Sequence, residues 1–403
     1  MNPITHSLSL YTQGMTLPQA FYVDEFVFKE DLRQIFFKNW LFVGHSCEVA
    51  RPGDYLTVNI GSESVIVVRD RAGQLHAHFN VCRHRGSKIV FNQRGQTEAF
   101  VCPYHQWTYR PNGNLVGARL MGADFDKSCY SLTSAHVREL AGLLFVCLAA
   151  VPPDFAAAEA AIAPQLTPHR LERAKIIAGD RYTIKANWKM IIENNRECYH
   201  CQGHPEFALS NYDLGLPGDD RHDHDFTYRL ADSYRQWEAL GLSPREVNFP
   251  NGSWFRVSRF PLKEGCLTES LDGRLTAPLM GDFQEPTVGS LRLIGLPNFW
   301  AHANADYAMT TRVIPLSPEL TQIDVAFLVH EAAVANHDYQ VDKVTAVWRA
   351  TSEQDWQLCE HNYAGICSSA YLPGPLSPLM EKSVAQFHHW YLQQMQGQRL
   401  AAA

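Results

Sequence analysis

Residues 25 to 39 (EFVFKEDLRQIFFKN) place Phe26, Leu32, Ile35 and Phe36 at helical spacing with acidic residues early, a pattern that predicts an amphipathic helix. From Trp40 to about residue 150 the pattern changes to short alternating runs: YLTVNI, SVIVVRD, QLHAHF, EAFVCPY and LLFVCLA. Turn signals such as Arg71-Ala72-Gly73-Gln74 and Pro111-Asn112-Gly113-Asn114 separate them, as expected of a compact all-β unit. Val151-Pro152-Pro153 and the alanine-rich stretch up to Pro164 mark a boundary. Beyond it, helices are expected at about 186–204, 336–364 and 379–397, with strands at 291–296, 307–314 and 322–330. The chain therefore divides into an N-terminal helix (1–40), an all-β domain (41–155) and an α+β domain with an antiparallel sheet (156–403).

Composition narrows the classes of function. The net charge of -7, with basic residues dispersed, argues against a nucleic-acid surface. No apolar run approaches the roughly 18 to 20 residues of a membrane span, and the opening MNPITHSLSL lacks the basic and apolar regions of a leader, so a cytoplasmic protein with no membrane partner is expected. The ten cysteines are spread through a large chain, which in a reducing compartment favours metal ligands and buried thiols over disulfides.

Within the β unit stand Cys82-Arg83-His84 and, after seventeen intervening residues, Cys102-Pro103-Tyr104-His105. Each pair lies between strands, so two loops can bring one Cys and one His apiece to a single inorganic centre. A Rieske [2Fe-2S] cluster needs that set: two thiolates hold one iron, and two imidazoles hold the other and raise the reduction potential. A zinc site takes the same ligand types, but zinc modules tend to pair Cys with Cys and His with His, which favours the cluster here. Gly86 lets the first loop bend, with its amide placed to donate to a cluster sulfur, and Trp107 is placed to shield the centre from water.

On a helix, Glu193, Glu197, His200 and His204 fall within an arc of roughly 60°, while Trp188, Ile191, Ile192, Cys198 and Tyr199 take the opposite side. A solvated polar face projects the same way. Two histidines four apart behind acidic residues tip the reading toward a metal site. Pro205 disfavours helical backbone at His204, and Cys198 and Cys201 read as packed thiols rather than a second metal or redox motif. A facial triad needs one further carboxylate. The segment VDKVTAVWRATSEQDWQLCEHNY supplies Asp355, which projects with Val344, Val347, Trp348 and Leu358 onto one apolar stripe, where a carboxylate must be paired, hydrogen-bonded or metal-bound.

Taken together, these motifs resemble the α subunits of Rieske non-haem iron oxygenases over almost the whole chain. The resemblance implies cluster ligands Cys82, His84, Cys102 and His105 in CRHRGS and CPYHQWTY, and Fe(II) ligands His200, His204 and Asp355. It implies a helix-grip (START-like) catalytic domain, a homotrimer, and a separate flavin and iron-sulfur reductase that brings electrons from NAD(P)H. It also assigns Glu197 to the path from the cluster of one subunit to the iron of the next. Many relatives carry Asp there; the glutamate is similar to the quaternary-ammonium N-demethylating group, typified by stachydrine demethylase and glycine betaine monooxygenase. FYVDEFVF, NWKMIIENNRECYHC, RFPLKEGCLTESLDG and AYLPGPLSPLMEKSVAQFHHWY look like that group as well. The implied reaction uses O2 to hydroxylate an N-methyl group, with loss of formaldehyde; oxygenation of an aromatic ring or other carbon by the same machinery is the alternative. Relatives usually place four residues between the iron histidines, whereas Cys201, Gln202 and Gly203 alone intervene here.

A quaternary ammonium group donates no hydrogen bond, so its site must use ring faces and a remote charge. Trp300, Tyr307 and Phe255 are the candidate substrate-binding rings, and Arg256 or Arg259 the candidate partner of a betaine carboxylate.

Overall fold

The computed structural model describes residues 3–212 and 220–396, so the last seven residues assigned to the α+β domain lie outside it. Two compact units are present, one of residues 36–154 with 171–173, the other of residues 1–35 with 155–170 and 174–403.

The smaller unit is all β. Its strands are β1 (Leu41–His45), β2 (Asp54–Ile60), β3 (Glu63–Arg69), β4 (Leu75–Phe79), β5 (Arg94–Gln96), β6 (Phe100–Val101), β7 (Thr108–Tyr109), β8 (Leu115–Gly117), β9 (Ser134–Leu140) and β10 (Leu143–Cys147). Seven form one sheet in the order β1-β10-β9-β4-β3-β2-β5, and β6-β7-β8 form a small second sheet. Alternation along β2 and β3 sends Tyr55, Ile66 and Val68 into a core shared with Phe100, Tyr109, Leu115 and Leu132. That core also receives Cys82, Cys102 and Trp107, so the two Cys-His loops are anchored at their apolar ends.

The larger unit begins with helices α1 (Pro3–Leu10), α2 (Ala20–Val23) and α3 (Glu25–Asp31), the last continuing into a π turn to Phe36. Asp24 caps α3 by accepting from Phe26 and Val27 N–H. Then follow α4 (Ala156–Leu166), β11 (Lys175–Ile184), α5 (Trp188–Asn195), α6 (Pro205–Ser210), α7 (Asp220–Ala239), β12 (Val247–Asn248), β13 (Phe255–Phe260), β14 (Ser290–Gly295), β15 (Phe299–Ala303), β16 (Tyr307–Ser317), β17 (Leu320–Val329), α8 (Val341–Ile366) and α9 (Lys382–Gln396). The strands make one antiparallel sheet ordered β11-β17-β16-β15-β14-β13-β12.

Register fixes what each face carries. Opposed pairs Ser258–Arg292, Arg292–His302, Ile294–Trp300, His302–Met309 and Trp300–Thr311 share one face. Helix α8 lies over it: Trp348 meets His302 with ring centres 4.3 Å apart, Trp356 meets Trp300 at 6.3 Å, and Arg349 donates to Asp180 of β11 at 2.9 Å. The opposite face of β13, with Arg259, is backed by α4, where the Arg259 guanidinium donates to the Gln165 carbonyl.

Asp31 ties the N-terminal helices into this unit. Its carboxylate, with no exposure, accepts from Lys189 Nζ, from Trp188 Nε1 at 2.9 Å and from Tyr391 OH at 2.8 Å. A charge out of water demands such saturation. Burial holds the Lys189 ammonium below its usual pKa, though Asp31 opposes that effect.

Candidate metal centres

The two Cys-His loops fold alike. Cys82 N–H donates to the carbonyl five residues on (Ser87, 2.9 Å), and Gly86 N–H returns a bond to the Cys82 carbonyl (3.0 Å). In the second loop Cys102 N–H donates to Trp107 O (2.8 Å) and Gln106 N–H to Cys102 O (2.9 Å). Both bends need positive φ, 78° at Gly86 and 60° at Gln106. The Gly86 amide is therefore spent on closing its own loop, not on a cluster sulfur.

His84 and His105 stand 4.6 Å apart between ring centres, and Trp107 stacks on His84 at 4.8 Å with planes 9° apart. Tyr109 contributes what the spacing did not reveal: its hydroxyl lies 3.3 Å from Cys82 Sγ and accepts from Arg83 N–H at 3.0 Å. Burial raises the Cys82 thiol's pKa while the Tyr109 contact opposes it. One observation tests the fit to a cluster: His84 Nδ1 is buried with no hydrogen-bond partner. A buried imidazole nitrogen without a proton acceptor or donor wants a ligand, and two thiols and two imidazoles from paired loops meet the requirement of a Rieske centre.

In the larger unit, the segment expected to be one long helix over 186–204 is broken. Helix α5 ends at Asn195; Cys201–Gly203 form a 3-10 turn, and Pro205 opens α6 as its first residue. His204, with φ -110° and ψ 85°, is the joint between the two, as the constraint before proline requires. The histidines therefore converge through a turn and not along a helical stripe. Glu193 leaves the set altogether, accepting from Tyr22 OH and engaging His388 Nε2, each at 2.9 Å. Cys198 and Cys201 are joined in a disulfide, not packed as free thiols; the turn brings their Cα atoms to 4.9 Å.

Asp355 projects from α8 to meet them. Its Oδ1 lies 3.1 Å from His200 Nε2 and 3.0 Å from His204 Nε2, and the three ligand atoms lie within 4.8 Å of one another. The same stripe holds Val344, Val347 and Trp348 buried, while Leu358 turns out to solvent. The far nitrogens are fixed from outside: Glu197 Oε1 sits 2.5 Å from His200 Nδ1, and Gln354 Oε1 sits 2.8 Å from His204 Nδ1. Glu206 in turn accepts from Gln354 Nε2 at 2.9 Å. Asn194 Nδ2 lies 3.3 Å from both His200 Nε2 and Asp355 Oδ1. An N–H committed at Nδ1 leaves the Nε2 lone pair aimed at a common point.

Electrostatics supply the fit test here. His204 Nε2 is buried with no aligned hydrogen bond despite its short distance to Asp355. Burial disfavours a charged His200, yet Asp355 and Glu197 push its pKa up to about 9. Burial likewise works against Asp355 ionisation, but the two imidazoles hold the carboxyl below its ordinary range. This pocket selects a cation, and two imidazoles with one carboxylate are the facial set of non-haem Fe(II).

The candidate substrate rings separate. Trp300 lies on the sheet face under α8. Tyr307 is wholly buried and structural, donating to Glu269 O at 2.6 Å and accepting from Trp348 Nε1 at 3.0 Å. Phe255 alternates with Arg256 onto the face backed by α4, where it packs against Trp254 at 5.7 Å. Arg259 is buried on that same far face, and Arg256 pairs with Glu246 at 3.0 Å.

Known proteins align with both centres. Residues 39–134 match the Rieske [2Fe-2S] domain, and residues 171–397 match the ring hydroxylating alpha subunit (catalytic domain). The glycine betaine monooxygenase oxygenase subunit of Chromohalobacter salexigens is 42% identical over 379 residues, 93% of this chain and 85% of that one. Its counterpart from Pseudomonas aeruginosa is 39% identical over 385 residues, covering 95% and 89%. A crystal structure of a quaternary ammonium Rieske monooxygenase in complex with L-carnitine superposes with a TM-score of 0.69 at 22% identity, covering 98% of this chain and 97% of that one. Naphthalene 1,2-dioxygenase from Rhodococcus superposes equally well at 18% identity, covering 98% of each chain, so the fold itself does not choose the substrate. With a [2Fe-2S] domain, a mononuclear iron domain and full-length relatives all in agreement, the chain belongs to the Rieske non-haem iron oxygenases as an α subunit.

Proposed function

We propose that this chain is the oxygenase component of a monooxygenase that removes an N-methyl group from a betaine, a quaternary ammonium compound bearing a carboxylate. The full-length likeness to two glycine betaine monooxygenase oxygenase subunits carries the reading. Cys82, His84, Cys102 and His105 would hold the cluster, and His200, His204 and Asp355 the iron. When bound, those groups supply electron storage and activation of O2, respectively.

The protein's part is to position and to exclude. Glu197 and Gln354 fix the two histidine rings, and Glu197 stands where the electron path from a neighbouring cluster would enter in a trimer. Trp300 and Phe207 pack on Trp356 and Trp348 of α8, and such a gathering of rings would suit a cation that offers no hydrogen bond. Hydroxylation at one N-methyl carbon gives a carbinol whose C–N bond breaks as its O–H proton leaves, releasing formaldehyde and a tertiary amine. A separate NAD(P)H-dependent flavin and iron-sulfur reductase completes the system.

Purified oxygenase with a competent reductase, offered glycine betaine, proline betaine, carnitine and naphthalene, decides the matter. Formaldehyde in step with O2 uptake from a betaine supports the reading. A diol from naphthalene with no formaldehyde from any betaine overturns it.

A further inference from the structure

The sheet face beneath α8 carries a buried polar group that neither metal centre uses. Glu269, with no exposure, lies 3.1 Å from His302 Nδ1, accepts from Asn304 Nδ2 at 3.1 Å and stands 3.6 Å from Arg292 Nη2. Burial opposes its ionisation, but His302, Arg292 and Asn304 together hold its pKa at about 2. Arg292 is opposed to His302 in the register of β14 and β15.

The guanidinium is only partly satisfied. Nη2 donates to Asn211 Oδ1 at 2.5 Å, but Nε is buried without a partner. Its Cζ lies over two rings, 4.7 Å from the Phe260 centre and 5.9 Å from Phe207. Phe207 is three positions beyond His204 and packs on Trp348 at 5.9 Å. Trp348 is in turn two helical turns before Asp355, roughly 10 Å along α8.

We infer that Arg292 receives the substrate carboxylate, with Glu269 and Asn211 setting the angle of its guanidinium, so that the ammonium end lies toward Trp348 and the metal-gathering residues. An arginine fork pairs with a carboxylate through two parallel N–H bonds, and a buried unpartnered N–H makes that acceptor necessary. Arg292 is thus a binding residue for charge, and Glu269 a positioning residue. The inference rests on the betaine reading above.

The test uses holoenzyme loaded with iron and cluster, glycine betaine as probe, and calorimetric Kd alongside steady-state formaldehyde release. Arg292→Gln is expected to keep iron, labile sulfide and the cluster spectrum while raising Kd and KM roughly 10- to 100-fold, the rise in KM exceeding any fall in kcat. Kd and KM within twofold of the parent overturn the inference. If Arg292→Gln fails to incorporate the cluster, Arg292→Lys decides: it keeps the charge but loses the fork, and a Kd rise of severalfold supports the assignment whereas an unchanged Kd overturns it. If the parent enzyme releases formaldehyde from no betaine, the proposed function falls and the inference with it. A betaine-active parent with an indifferent Arg292→Gln sinks the inference alone.

Discussion

The cluster loops and the iron pocket gather their side chains by opposite routes. Cys82 and Cys102 stand 20 positions apart on loops that repeat one backbone pattern, each closed by its own N–H···O bonds. The iron pocket joins a turn after α5 to a helix far along the chain; its bond between His204 and Gln354 spans 150 positions. Local closure makes the first region self-sufficient, whereas the second exists only when α8 has docked on the sheet. Damage should therefore stay within one region, and the second should be the more fragile.

Asp355→Ala breaks the contrast most sharply. Removing the shared carboxylate should cost the iron pocket more than about 100-fold in metal affinity and turnover, beyond what outer residues contribute, while the cluster's visible and EPR spectra stay unchanged. Loss of both metals together would mean that the regions are not independent. Glu197→Ala comes next: the cluster spectrum persists, and turnover drops at least roughly 10- to 100-fold because His200 Nδ1 loses its partner. Full coupled turnover by that variant would remove Glu197 from the mechanism.

Gln354→Leu sharpens the picture further, since it touches no metal ligand except through His204 Nδ1. Iron affinity measured by chelator competition should fall about tenfold. Tyr109→Phe is the matching change in the other region. Deleting the hydroxyl beside Cys82 Sγ should lower the cluster potential, by ~40 mV if the contact is worth about 1 kcal/mol to the reduced state, with iron content unaltered. The last effect is one of pH and touches stability, not the metal centres. Burial, joined by the nearby Arg259 cation, pushes the His169 pKa down to about 3 against the pull of two carbonyls. The unfolded chain, titrating near 6.5, takes up the proton more readily. Stability is thus full above pH 6.5 and falls as pH drops through 6.5 toward 3, by at most ~1.4 kcal/mol per unit. Denaturant unfolding of His169→Gln between pH 7.5 and 5.5 should give a flatter profile than the parent, and parallel profiles would remove His169 as the cause.

The same contrast explains what could be read from the chain. Cys82, His84, Cys102 and His105 are legible because their spacing is local and chemically unusual. Asp355 stands out because an acid on an apolar helical stripe is costly and so asks for a partner; the structure sets it beside His200 and His204. The single helix over 186–204 was not correct, because periodicity cannot see that Pro205 begins a second helix. Arg292 stayed hidden for a related reason: in SLRLIG it alternates with leucines as a solvent-facing residue would, and only the lid formed by α6 and α8 reveals that both faces are covered. Phe255 stands one step along the same alternation from Arg256, and in a strand one step reverses the face, so it points away from α8.

Because the twin bends around Cys82 and Cys102 are closed by main-chain bonds and seated in apolar packing, the spacing of the four candidate ligands is inherited from backbone geometry, and a side-chain change elsewhere in the loops that spares those bonds leaves it intact.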